Sequence, residues 1–206
     1  MTFIAKVTAD SKLAITATFK QVDPKGKTLE QWMKAVGISF NDMRGQWGLE
    51  EQDLMNRYGI EENEEDPDAV SDQIDRAFAA DVSASYGNWT YKYSKLKFPL
   101  ILYRAVCVKT LKDIKLNKLG TDWTDNLESA SCYHGHLAKS GSTTFVIKAL
   151  VKRTDIDWTG TVWNNLNEAF GEDEQEINLV PGKSVKVVEV QTKDDKWMPI
   201  NKPGKI

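Results

Sequence analysis

The sequence predicts an α+β chain in which helices come first and strands follow. Two patterns carry that expectation. In the first half, apolar residues recur at helical spacing, as in Leu29, Trp32, Met33 and Val36, or Val70, Ile74, Ala77 and Phe78. In the second half, short apolar runs of strand length stand between turn residues. Helices and strands gathered into separate parts of a chain are the mark of an α+β arrangement. A chain of 206 residues is expected to form one domain, or one domain with a small appendage. Within it, residues 1–95 are expected to supply an N-terminal β-hairpin and a helical region, and residues 96–206 a β-rich core.

The elements follow in order. Phe3, Ala5 and Val7, then Ile15, Ala17 and Phe19, alternate on either side of Ala9-Asp10-Ser11, which predicts a β-hairpin. Asp23-Pro24-Lys25-Gly26 is a stop and turn. Thr28 with Gln31 forms a capping box at the start of a helix that Gly37 ends. A second helix is predicted over residues 49–58, closed by Gly59. Residues 61–68 are an acidic run broken by Pro67; without the glycine and spacing of an EF-hand, they read as a solvated loop. Asp68 then caps a helix with the stripe Val70, Ile74, Ala77, Phe78 and Val82. From Trp89 onward the pattern is mostly strand. Strands are predicted over residues 100–107, 145–152, 174–180 and 185–191, with 126–137 partly helical. Asn88-Trp89-Thr90 matches a glycosylation sequon, which without a secretory signal reads as chance.

Composition narrows the function classes. An apolar fraction of 41% and seven tryptophans are ample for a packed core. The net charge of −3 argues against an extended nucleic-acid surface, which is normally basic. Lys109, Lys112, Lys115 and Lys118 form a local positive stretch that reads as a solvated face. Cys107 and Cys132 give no disulfide framework, and Cys107 reads as a small buried hydrophobe. Cys132, His134 and His136 alternate and would share a strand face, but a fourth ligand is missing and no metal is expected. Neither a dinucleotide-binding glycine fingerprint nor a phosphate loop is present. With no basic region leading into an apolar run and no span-length apolar stretch, the chain reads as soluble and cytoplasmic, without a membrane partner.

Two segments carry chemistry. In Gly171-Glu172-Asp173-Glu174-Gln175-Glu176-Ile177, alternating carboxylates lead into an apolar run that Pro181-Gly182 closes. On a strand Glu174 and Glu176 would point the same way, and Glu172 falls on that face too. Like charges aimed at one spot repel, so such a pair calls for positive charge or chemistry. Spacing alone also fits a solvated acidic turn before an edge strand. Upstream, Leu100-Ile101-Leu102-Tyr103-Arg104-Ala105-Val106 is apolar but for one arginine, and a buried guanidinium requires an anionic partner. Between the two lies Gly120-Thr121-Asp122-Trp123-Thr124, with Ala130 after it.

An arginine strand, a small-hydroxyl strand and a Glu-x-Glu strand, in that order, resemble the ADP-ribosyltransferases of the Arg-Ser-Glu type. That family includes clostridial binary-toxin enzymes and phage-encoded transferases. The resemblance runs from Leu100 to about Val190. Leu102-Tyr103-Arg104-Ala105 is similar to the family's Tyr-Arg-Gly signature, with alanine for glycine. Glu174-Gln175-Glu176-Ile177 is similar to its Glu-x-Glu element. The middle motif departs from the family's Ser-Thr-Ser: Asp122-Trp123-Thr124 before Ala130 is preferred, and Ser129-Ala130-Ser131 before Ala138 stays open.

The resemblance implies a mixed or antiparallel two-sheet core, with residues 96–206 as its catalytic part. It implies NAD as substrate, no metal, and transfer of ADP-ribose to an acceptor, arginine on a protein, with nicotinamide released. Glu176 would stabilise the ribosyl cation. Glu174 would receive the target guanidinium, and Thr124 would orient Glu176. Arg104, Ala105, Trp123 and Thr124 would bind NAD, with Arg104 on its phosphates and the Ala105 backbone on the nicotinamide amide. Phe170 and Trp163 fall where the family's target-recognising turn lies, and either an acceptor contact or a loop anchor suits an aromatic there. A phage or bacterial effector is implied, acting in the host cytoplasm if phage-encoded. A nucleic-acid acceptor stays open, as do an NAD glycohydrolase and a non-catalytic interaction or virion protein that keeps the fold.

Overall fold

The computed structural model describes residues 19–63, 65–132, 142–167, 176–191 and 196–206. The expected hairpin, apart from Phe19, lies outside them, as do His134 and His136. The chain forms two compact units: Met1–Ser94 with Leu166–Gly171, and Lys95–Asn165 with Glu172–Ile206.

The described part of the first unit holds four helices: α1 (Leu29–Val36), α2 (Phe40–Trp47), α3 (Glu51–Tyr58) and α4 (Pro67–Ser94). Helix α1 starts at the expected Thr28–Gln31 capping box, buries Leu29, Trp32, Met33 and Val36, and ends at Gly37 with φ 90°. Helix α2 is an addition to the expected elements. Met43 is its one buried residue, so it has no apolar stripe to read, although Ser39 and Asp42 form a second capping box. Helix α4 corrects the expectation of strand from Trp89, because Tyr86, Trp89 and Tyr93 continue the buried stripe of Val70, Ile74, Phe78 and Val82. Phe78 is met edge-on by Phe40 and Trp47. The Trp32 indole N–H donates to the Val22 carbonyl at 3.1 Å, and the Tyr86 hydroxyl to that of Lys27 at 3.3 Å.

The second unit is built on one six-stranded sheet among the described residues. Its strands are β1 (Leu100–Val108), β2 (Asp122–Thr124), β3 (Thr143–Val151), β4 (Glu176–Asn178), β5 (Ser184–Gln191) and β6 (Trp197–Lys205). Their order is β4-β2-β1-β3-β5-β6, and every pairing is antiparallel. The α+β class and the antiparallel pairing hold; among the described residues two separate sheets do not appear, because β1 hydrogen-bonds on both edges. It pairs with β3 from Leu100↔Val151 to Val108↔Thr143, but with β2 only at Tyr103↔Thr124. The small β2–β4 ladder therefore hangs on the larger sheet by one registered pair. Strand β6 is unexpected. Its Pro199 and Pro203 argue against a central strand, and it is tolerated as the last strand of the sheet.

Two helices accompany this sheet, α5 (Leu127–Cys132) and α6 (Trp158–Asn167). Helix α6 is preceded by Asp157, a buried residue whose carboxylate accepts the Gly160 amide at 2.8 Å, as an N-cap does. The link between β1 and β2 carries Lys109, Lys112, Lys115 and Lys118, all exposed, as a solvated face requires.

Candidate active site

Strands β2 and β4 pair Thr124 with Glu176, Trp123 with Ile177 and Asp122 with Asn178. Residues opposite each other on antiparallel strands share a face. Thr124 and Glu176 are thus neighbours, together with Asp122 and Asn178. Tyr103, in register with Thr124 on β1, continues their row. The segment Ser129-Ala130-Ser131 is helical, inside α5, and Ser131 Oγ donates to the Leu127 carbonyl at 2.8 Å. Of the two middle-motif candidates, the Asp122-Trp123-Thr124 strand is the one placed beside Glu176.

Glu176 is 6% exposed, and its carboxylate is held from two sides. Asn164 of α6 donates its Nδ2 to Oε2 at 3.3 Å. Asn178, with its amide oriented so that both ends meet complementary partners, donates Nδ2 to Oε1 at 3.1 Å and to Asp122 Oδ1 at 3.2 Å. The Asn178 Oδ1 accepts from Asn164 Nδ2 at 2.8 Å, which ties the two amides together. Asn165 fixes the strand itself, donating to the Glu176 carbonyl at 2.7 Å. Thr161 Oγ1 accepts the Asn178 amide at 2.9 Å. Thr161, Asn164 and Asn165 lie at i, i+3 and i+4 of α6, so one polar stripe meets β4, while Val162, Trp163 and Leu166 are buried.

Arg104 sits one residue past Tyr103 and, by strand alternation, projects from the other face of β1. Its guanidinium turns to the start of β2, where Nη1 donates to the Asp122 carbonyl and lies 4.0 Å from Asp122 Oδ2. Gly120, at φ 78°, makes room for it: a Cβ there would fall 2.8 Å from Arg104 Nη2. Arg104 is therefore linked to Glu176 through Asp122 and Asn178, not by facing it directly.

The remaining expected residues divide as follows. Thr124 is buried, and its Oγ1 accepts the Asn126 amide at 3.1 Å, which caps the approach to α5. Trp123 is 2% exposed and donates its indole N–H to the Gly120 carbonyl at 3.0 Å, so its ring is a structural anchor of the strand. Ala105 is half-buried on β1 beside Arg104. Trp163, expected in a target-recognising turn, is buried within α6 instead. Glu174, Glu172 and Phe170 lie outside the described residues.

Asn164 and Asn178 are the site residues that motif reading does not reach, and Asp122 is read there only as part of the middle motif, with no role of its own. The polar i, i+3, i+4 stripe of Thr161, Asn164 and Asn165, set against the buried Val162, Trp163 and Leu166, is the signal that marks the first of them. A buried carboxylate is costly unless hydrogen-bond donors meet it, and here amide donors from α6 and β4 do so. No group of His, Cys, Asp and Glu able to hold a metal occurs among the described residues. No helix among them is long and apolar enough to cross a membrane.

No protein-family model, curated protein or solved structure matches this chain.

Proposed function

We propose that the protein is a mono-ADP-ribosyltransferase that takes ADP-ribose from NAD and passes it to arginine on a protein acceptor. The observation that supports this reading best is Glu176: a buried carboxylate at the first residue of β4, held by two amides and in register with Thr124 on the neighbouring strand. A carboxylate at the start of that strand, beside the middle motif, is what the resemblance asks of the residue that stabilises an oxocarbenium-like ribose. The bond between ribose and nicotinamide breaks, and neutral nicotinamide leaves with the electron pair. The acceptor nitrogen bonds to the ribose carbon and loses its proton to Glu174. Arg104 holds the NAD phosphates with its forked donors once released from the Asp122 carbonyl.

A second reading draws on one specific observation. The Arg104 guanidinium already bonds the Asp122 carbonyl, as a purely structural arginine does, and this suits a non-catalytic protein that keeps the fold. Incubating the protein with NAD labelled in its adenylate part, alongside a cell extract, separates the readings. Label on protein supports the transferase. Free ADP-ribose with unlabelled protein marks an NAD glycohydrolase, and intact NAD marks the non-catalytic protein. Mass spectrometry of the labelled product identifies the acceptor side chain.

A further inference from the structure

Orientation of Glu176 is assigned by the resemblance to the hydroxyl of the middle motif, but the geometry points elsewhere. Thr124 Oγ1 accepts the Asn126 amide, and the donors that reach the two Glu176 oxygens from α6 and β4 are amide N–H groups, those of Asn164 and Asn178. We propose that Asn164 and Asn178 form an amide clamp that positions Glu176, with Asp122 as the group that fixes which way the clamp faces; the proposal rests on the NAD-cleaving reading above. An amide can turn over and present its oxygen in place of its nitrogen. For Asn178 one orientation satisfies both ends: its Nδ2 then lies between two carboxylates, Asp122 and Glu176, while its Oδ1 accepts from Asn164. Turned over, it would set an oxygen against both carboxylates and a nitrogen against the Asn164 donor. Asp122 Oδ1 also accepts from the Thr121 hydroxyl at 2.7 Å, and the Arg104 guanidinium lies 4.0 Å from the other carboxylate oxygen. The clamp spans three elements, β2, β4 and α6, so Glu176 is held by backbone that cannot shift independently.

Asn164 and Asn178 are positioning residues, and their removal should leave NAD binding while spoiling its cleavage. Misplacing a reacting group by about an ångström costs on the order of 10²-fold in rate. The test uses Asn164→Asp, which keeps the shape but loses the donor, Asn164→Ala, which loses the donor without adding charge, and Thr124→Val as the comparison. Two quantities are read on the full chain. One is the steady-state rate of nicotinamide release, and the other is the carboxyl carbon resonance of Glu176 in glutamate-labelled protein. Both Asn164 variants should lower kcat by about 10²-fold with KM for NAD little changed, and both should move the Glu176 resonance. Thr124→Val should leave that resonance in place. A larger effect from Thr124→Val than from either Asn164 variant overturns the clamp, as does an unmoved resonance in both Asn164 variants. If an Asn164 variant fails to fold, the other carries the comparison. A wild-type protein that releases no nicotinamide overturns the NAD reading, and the resonance alone then decides whether the clamp exists.

Discussion

At the scale of single residues, Glu176 and Gly120 make opposite demands on the chain. Glu176 places a charge where an apolar side chain would be cheaper, and two asparagines satisfy it. Glu176→Gln keeps the shape, removes the charge and turns one acceptor into a donor, so it should still fold with some loss of stability and lose nicotinamide release by about 10²–10³-fold. Near-normal release from a well-folded Glu176→Gln protein would sink the proposed role. Gly120 gives up a side chain so that the Arg104 guanidinium can lie against its backbone. Gly120→Ala should cost roughly 1–2 kcal/mol from its left-handed backbone. It should also weaken NAD binding by displacing Arg104. Gly26→Ala is the control, because Gly26 has φ 72° and nothing near an added Cβ. It should lose stability alone, measured by denaturant midpoint beside NAD calorimetry. Equal NAD affinity in both variants would make Arg104 a structural residue.

At the scale of elements, β4 is only three residues long, and its partners explain how it keeps its register. Thr161 of α6 accepts the Asn178 amide, and the Asp157 amide donates to the Asn178 carbonyl at 2.8 Å. Thr161→Val removes the hydroxyl at nearly constant volume and leaves a buried N–H without that partner. The expected loss is about 1–3 kcal/mol, read from the denaturant midpoint. A midpoint equal to wild type would mean that β4 is held without the Thr161 hydroxyl, by its ladder with β2 and the Asp157 and Asn165 bonds. The same elements show what the sequence could disclose. Strands β1, β3 and β5 and helices α1, α3 and α4 announce themselves through apolar spacing and capping residues. Helix α6 does not, because Thr161, Asn164 and Asn165 break its apolar pattern to serve β4. Helix α2 has one buried residue and so no stripe, and the two prolines of β6 hide a strand that an edge position tolerates. The arginine, hydroxyl and Glu-x-Glu segments can be found as residue types in order. That Arg104 leaves from the other face than Thr124 depends on a single registered pair, Tyr103↔Thr124, which no spacing rule reveals.

At the scale of the whole molecule, both units hold protonated groups whose ionisation is displaced in the same direction. Burial, then the Asp81 carboxylate, pushes the Tyr58 hydroxyl from its ordinary 10.0 up to about 12. Burial also raises Tyr86, with Asp23 adding to the effect. In the second unit, the hydrogen bond to Glu189 raises Lys148. A group whose pKa is higher in the folded chain than in the unfolded one stabilises the fold fully below its unfolded value. That contribution fades as pH rises through the folded value. The protein should therefore keep its stability up to about pH 10 and lose it progressively between there and about pH 12, the interval Tyr58 spans. Tyr58→Phe isolates one contributor. It forfeits the hydroxyl's bond to Asp81 at 3.2 Å, so it should be less stable at neutral pH. It has no phenol to ionise, so its stability should fall less steeply than wild type across the alkaline interval. Denaturant midpoints of both proteins from neutral pH upward, read by helical circular dichroism, make the comparison. Parallel alkaline limbs would show that Tyr58 is as easily ionised folded as unfolded.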